Sequence, residues 1–387
     1  MKPRVRILIA SLSLCAWLLD ACTFSVQVVP TPGATLPATP TASSTPSRLP
    51  ATETLEPGVV APFATLTPVA IRLDTLSLLE IFNNIDVPET ARALAFSPDG
   101  EVLAGTGGDA NDFTIHLWYA ESGEEIGALE GHRDIVWNLA FSPDGLMLAS
   151  VSGVGTANIW DWRAGILLQT LQFPNQVGTV NFSPNGETIA VGGLDDPQYL
   201  TAAIWIYSTS AWKPLLKIPD YVNITAMAYS PNGRWLVGGG ASRNVQVWRT
   251  SDGTSLFTLN HPHPSLDVAI SVDNTVAATA TCSFAVDDDC AEGAVWLWDL
   301  NSGKLIQHLR GFPDTVENVI FSADGSLLIA ASRDGMVRIY DTATFAVVFE
   351  ADPPGGNGAL ALSPDGRFLA TGGSNGEVRL WRVVVRP

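Results

Sequence analysis

FSPDG at residues 96–100 returns letter for letter at 141–145. Five relatives follow: FSPNG at 182–186, YSPNG at 229–233, ISVDN at 270–274, FSADG at 321–325 and LSPDG at 362–366. The spacings are 45, 41, 47, 41, 51 and 41 residues, which makes the unit a supersecondary element of about forty residues with insertions. The pentapeptide is itself a turn. Proline presets φ at one corner, Asp or Asn follows, and glycine takes the left-handed slot. Apolar residues flank it, VWNLAF at 136–141 before and LMLAS at 146–150 after, so two short strands joined by a tight turn are expected.

A second landmark recurs downstream of each turn: Trp118, Trp160, Trp205, Trp248, Trp298, Tyr340 and Trp381 each end a third strand. A large ring at one position of every unit suits packing between neighbouring sheets. A further polar turn, Asn301-Ser302-Gly303 in one copy, leads to a fourth strand. The FSPDG-type turns, IWD at 159–161, LWD at 297–299, IYD at 339–341 and Gly131-His132 together resemble the WD40 repeat family over residues 71–387. The resemblance implies an all-β fold, a seven-bladed β-propeller of four-stranded antiparallel blades that serves as a platform for partners.

The family's structural histidine is present only as His132 and His261, and its loop aspartate only as Asp112 and Asp334. No blade has both, so the family's His–Asp–Ser–Trp network is expected to be broken throughout, leaving cohesion to apolar packing. The seventh blade ends six residues after Trp381, without a fourth strand. The spare apolar run from Leu76 to Phe82 is expected to supply it, closing the ring and covering an exposed edge.

Upstream, the chain changes character twice. Lys2, Arg4 and Arg6 precede an apolar stretch at 7–19, too short for an ordinary membrane span and suited to an export signal. Leu19-Asp20-Ala21-Cys22 resembles the bacterial lipobox, which implies cleavage after residue 21 and lipidation of Cys22. Residues 22–70 are rich in proline and threonine and poor in large apolar side chains, the composition of an extended, disordered stalk. The expected organisation is a signal peptide at 1–21, a stalk at 22–70 and a propeller at 71–387. The whole would be a monomer held outside the cytoplasm, on a bacterial cell envelope, by a membrane lipid anchor.

The formal net charge of −18 repels phosphate backbones, so no nucleic acid partner is expected. Catalytic groups are sparse. His261 and His263 are two ligands short of a metal site. GGSNG at 372–376 matches a nucleophile-elbow pattern but falls on a loop between strands, not on a strand-to-helix turn. No cofactor site is read. The innermost strands contribute Ala93-Leu94-Ala95, Asn138-Leu139-Ala140, Val180-Asn181, Ala226-Met227-Ala228 and Val268-Ala269, apolar or amide-bearing, which disfavours a hydrolase or lactonase built on the central cavity.

The insertions are more informative. The distance from turn to third-strand aromatic is 19 positions in four units, but 22, 23 and 28 in the first, third and fifth. The extra residues follow the second strand in each case and therefore emerge on one face. They carry Asp109 and Asp112, then Asp195, Asp196 and Tyr199, then Phe284, Asp287, Asp288, Asp289 and Glu292. Loops on one face of a rigid scaffold are where binding resides, here of a protein, with a glycan or Ca²⁺ at the carboxylates as further candidates. Cys282 and Cys290 bracket the longest insertion, and in an exported protein they are expected to form a disulfide.

Overall fold

The computed structural model describes residues 70–383 apart from 73, 77–78, 87–89, 108–112, 199–200, 221–223, 287–288, 353–354 and 357. The leader, Cys22 and the stretch 23–69 lie outside the described residues. Within them the chain forms seven four-stranded antiparallel sheets, the blades of a β-propeller. Six blades take four consecutive strands from the centre outward, as in Ala93–Phe96, Val102–Thr106, Ile115–Tyr119 and Glu125–Leu129 of blade 1.

The repeated pentapeptide works through its serine. In blade 2, the Ser142 hydroxyl donates to Asp144 Oδ1 at 2.6 Å and accepts from the Met147 N–H at 2.8 Å. Asp144 Oδ1 also accepts from the Leu146 N–H at 3.0 Å. The serine hydroxyl and that N–H hold the Asp144 carboxyl below the usual carboxylate range. The terminal glycine of this turn, Gly145, has φ of 70°, a conformation costly for a side chain, and only blade 5 meets the demand with a non-glycine, Asn274 at 64°.

The second strands of blades 1, 2, 6 and 7 are buried along their whole length, at Val102–Thr106, Leu148–Ser152, Leu327–Ser332 and Phe368–Gly372. Alternation vanishes there because neighbouring blades cover both faces of each sheet. The third-strand aromatics lie in these inter-blade layers: Trp118, Trp160, Trp248, Trp298, Tyr340 and Trp381 are buried. Their bulk explains Gly105 and Gly238 of the second strands. A Cβ on Gly105 would stand 2.8 Å from the Trp118 ring, and one on Gly238 2.9 Å from Trp248.

The seventh blade combines Ala359–Leu362, Phe368–Gly372 and Glu377–Val383 with the N-terminal strand Leu79–Asp86. That strand begins three residues later than the apolar run suggests and extends into Asn83-Asn84-Ile85-Asp86. Its register runs from Leu79 opposite Val383 to Asp86 opposite Glu377, with a bulge between Ile81 and Asn83. An outermost strand needs only one buried face, so Leu79 and Ile85 are its buried anchors, Phe82 is partly buried, and Glu80, Asn84 and Asp86 are exposed. Leu76 lies before the strand, buried in a cluster with Ile71, Leu369 and Trp381.

The hydrogen-bond network expected to be broken is partly made. His132 Nε2 bonds Ser150 Oγ at 2.6 Å, and the Trp160 indole N–H donates to the same oxygen at 2.8 Å. Blade 5 repeats the relay with threonine: His261 Nε2 bonds Thr279 Oγ1 at 2.7 Å, and Trp298 donates to that hydroxyl at 3.2 Å. The aspartate is the missing member. Val154 occupies its position in blade 2, and His132 Nδ1 is buried without a partner among the described residues.

Burial lowers both histidines to a pKa of about 4. Each folded value lies below the unfolded one, so the unfolded chain binds more protons between pH 6.5 and 4 and stability falls as the pH drops through that window. Each histidine contributes roughly 3 kcal/mol to that loss. Thermal melts should show this acid slope, and His132→Asn should be less stable at pH 7 yet shallower in slope. An unchanged slope in the variant would refute the assignment.

Candidate functional site

Two of the three insertions are paired strands, and the third, in blade 1, lies mostly outside the described residues. In blade 3 the added residues prolong the second and third strands into the hairpin Thr188–Asp196 and Thr201–Ser208, and in blade 5 into Val276–Val286 and Asp289–Asp299. Continued strand pairing satisfies the backbone of the extra residues, which an irregular loop would leave to water. The base of the blade 3 hairpin is tied to the preceding connector: the Leu194 N–H donates to Gln176 O at 2.8 Å, and Asn175 Nδ2 to Asp195 O at 2.7 Å. Asp109, Asp112, Tyr199, Asp287 and Asp288 lie outside the described residues.

The remaining residues fall on two separate hairpins. Asp195 is already neutralised by Lys217, whose Nζ stands 2.7 Å from its carboxylate. Asp196 Oδ1 accepts from the Gln198 N–H at 2.8 Å and so shapes its own turn. On the blade 5 hairpin, Phe284 faces Glu292 across the strands and Val286 faces Asp289. Glu292 is held by the Ser283 hydroxyl at 3.2 Å, with Arg310 at 3.7 Å. Phe284 is 56% exposed and Val286 50%, so the outer part of this hairpin presents two apolar side chains beside carboxylates. Two exposed apolar side chains close together on a projecting strand make this hairpin a candidate interaction surface.

Cys282 and Cys290 are bonded, with Cα atoms 5.8 Å apart. They are not directly opposite each other in the hairpin. Cys282 pairs with Gly293 and Cys290 with Ala285, and the irregularity around Ser283 shifts the strands enough for a diagonal bond. The bond lies directly beneath Phe284 and Val286 in the chain and fixes the register of the tip.

The starts of the inner strands hold residues that the sequence reading passed over. Arg92 lies over the Trp137 ring at 5.1 Å, and Glu317 pairs with Arg333 at 2.7 Å. Burial pushes the Glu317 carboxyl up, against the opposing pull of Arg333. Arg92, Trp137 and Glu317 all stand four residues before their turn, a register that could have been read down the repeats. One position later lies Asp267, which corrects the view of the inner strands as wholly apolar or amide-bearing. Its carboxylate accepts from the Val268 N–H at 2.8 Å and from the Val319 N–H of blade 6 at 3.0 Å. Burial lifts it to about 7. Asn138, at the same register in blade 2, makes the equivalent bond to Val180 N at 3.2 Å. The shared geometry is inter-blade stitching, which explains the carboxylate without chemistry.

Comparison with known proteins follows the same lines. The WD40 family model (WD domain, G-beta repeat) matches residues 87–119, 123–161, 212–249, 303–341 and 358–382. The chain carries WD40 repeats. The stretches it leaves unmatched hold the inner three strands of blades 3 and 5, the two blades with the long hairpins. The chain is also 22% identical over 303 residues to eukaryotic translation initiation factor 3 subunit I of Drosophila willistoni, covering 74% of this chain and 92% of that protein. The Drosophila melanogaster protein of the same description is 23% identical, covering 74% and 91%.

The chain-entropy model assigns roughly 2.6 kcal/mol to closing a loop of about nine residues. Intact mass of protein from an oxidising compartment should rise by about 2 Da on reduction. Cys282→Ser should lower the melting temperature without unfolding the propeller, because the bond lies beyond the inter-blade core. Two alkylatable thiols in the oxidised, folded protein would contradict the bond.

Proposed function

We propose that this chain is a non-catalytic scaffold, displayed outside the cytoplasm on a lipid anchor, that holds a protein partner on the face of the long hairpins. The observation that carries the reading is the stapled hairpin of blade 5. It presents Phe284 and Val286, both at least half exposed, next to Asp289 on a strand pair whose register a disulfide secures. Preorganisation lowers the entropy cost of binding, and exposed apolar side chains supply its driving force. The acidic flank and the net charge of −18 favour a partner whose apolar pocket is rimmed by Lys or Arg.

The location rests on sequence. The basic and apolar leader at 1–21, the Leu-Asp-Ala-Cys stretch ending at Cys22 and the proline-rich 22–70 together support export, lipidation of Cys22 and a spacer between membrane and propeller. A disulfide is at home in an oxidising compartment, which agrees with export. The curated relatives are named as subunits of a translation factor, and a subunit role supports the scaffold reading. At 22–23% identity the process in which they act does not transfer.

One fractionation tests both halves. Full-length protein should sediment with membranes and bring a cross-linkable partner with it, and Cys22→Ser should release both into the soluble fraction. Phe284→Ser with Val286→Ser should leave the chain on the membrane, with its melting temperature unchanged, while partner recovery falls about tenfold, as expected for truncating a central apolar anchor. As a control, Asp99→Asn, Asp144→Asn and Asp365→Asn alter the opposite face and should leave recovery alone. Equal losses from both sets would refute the hairpin face as the docking site.

A further inference from the structure

A cavity opens at the base of the blade 3 strands, with Thr188 and Ile206 in its lining, at the end away from the hairpin tip. It has a volume of about 630 Å³ and lies on the face of the tight turns, between blades 3 and 4. Three departures from the repeat pattern converge on it. The turns of blades 1, 2, 5, 6 and 7 carry Asp99, Asp144, Asp273, Asp324 and Asp365, each accepting from the turn's own serine. Blades 3 and 4 have Asn185 and Asn232 instead, and both line the cavity. The residue that opens each pentapeptide is Phe, Ile or Leu in six blades. In blade 4 it is Tyr229, which adds a hydroxyl to the cavity wall.

The asparagines keep the turn's geometry. Asn232 Oδ1 accepts from the Ser230 hydroxyl at 2.8 Å and from the Arg234 N–H at 3.0 Å, just as an aspartate would. What changes is the other half of the group. The carboxylate charge is gone and an amide nitrogen replaces it. Asn185 Nδ2 donates to Glu187 at 2.8 Å, whereas Asn232 Nδ2 donates to nothing among the described residues. The Tyr229 hydroxyl meets Thr188 Oγ1 only at 3.5 Å, at the limit of a hydrogen bond. Two polar groups are thus placed at the cavity with capacity unused, in a ring of turns otherwise marked by carboxylates.

The lining selects the ligand. It contains no Lys or Arg to balance an anion and no carboxylate to hold a cation. Blade 4 contributes mostly hydrogen-bonding groups, Tyr229, Asn232, Thr250 and Ser251. Blade 3 contributes aliphatic surface from Ile206, Leu215 and Leu216, with Leu215 58% exposed, beside Asn185 and Thr188. A pyranose ring has this division, hydroxyls around its rim and C–H groups on its face. The volume lies within the range of small-molecule sites and accommodates two or three rings. We propose that the cleft between blades 3 and 4 binds the end of an uncharged oligosaccharide, with the Asn232 amide and the Tyr229 hydroxyl donating to its hydroxyls.

Saturation-transfer NMR and calorimetry on the full chain test this with maltotriose, cellotriose and triacetylchitotriose at millimolar concentration. At least one should bind. Tyr229→Phe with Asn232→Asp reproduces residues that other blades already use, so it should fold with an unchanged melting temperature. Its affinity should fall about fivefold, the loss expected for one or two hydrogen bonds. Ser251→Trp, at an exposed position on the cavity wall, should block binding sterically. The proposal is overturned if none of the three sugars binds, if the double variant or Ser251→Trp binds as well as the parent chain, or if an extended neutral peptide competes the sugar away from a site elsewhere.

Discussion

The pairing of Leu79–Asp86 with Glu377–Val383 is the constraint on which the rest of the structure depends. Each blade is a thin sheet whose two faces are both apolar, so no blade can be stable without a neighbour on each side. A linear array of seven would leave two terminal faces and one naked edge exposed. Lending the first strand of the domain to the last blade removes the edge and holds the two ends of the ring in register. Leu76 and Ile71 extend the lock, packing against Leu369 and Trp381, while the Asn83 amide reaches Ser122 O in blade 1 at 2.6 Å.

Closure explains why the two faces of the disc differ. The face of the tight turns is built from seven copies of one serine-centred hydrogen-bond pattern, and its variation is limited to what that pattern tolerates, such as Asn for Asp. The opposite face carries the connections between second and third strands, where residues can be added beyond the inter-blade core without disturbing it. The hairpins of blades 3 and 5 exploit that freedom by growing outward as paired strands. Charge follows the same division: turn carboxylates are occupied locally, and those on the hairpins stand near Lys217 and Arg310 or at the tip.

Much of this was legible in the sequence because it is periodic. Seven turns, seven third-strand aromatics and three lengthened segments are counts along the chain, and they specify the blade number, the strand order and the decorated face. What escaped depends on contacts that no period announces. The outer strand of blade 7 was placed too early because the apolar run ends at Phe82, although a strand with one solvent face accepts Asn83, Asn84 and Asp86. The relays in blades 2 and 5 were missed because Ser150 and Thr279 bond His132 and His261 even without the family's aspartate. Asp267 was overlooked because its partner, the Val319 N–H, lies on the next blade, 52 residues away. The diagonal disulfide depended on an irregularity at Ser283 that pairing rules do not foresee. The cavity between blades 3 and 4 was present in the letters FSPNG and YSPNG, but only the fold shows that these two turns are neighbours.

Native-state hydrogen exchange is the most direct test of closure. If the ring is locked by its N-terminal strand, the paired amides of Leu79–Asp86 and Glu377–Val383 exchange through the same global opening as the buried strand Val102–Thr106, with free energies agreeing within about 1 kcal/mol. Fast exchange of Leu79–Asp86, in the manner of a fraying terminus, while the rest of blade 7 remains protected would contradict the account. The propeller would then be held together without its closing strand.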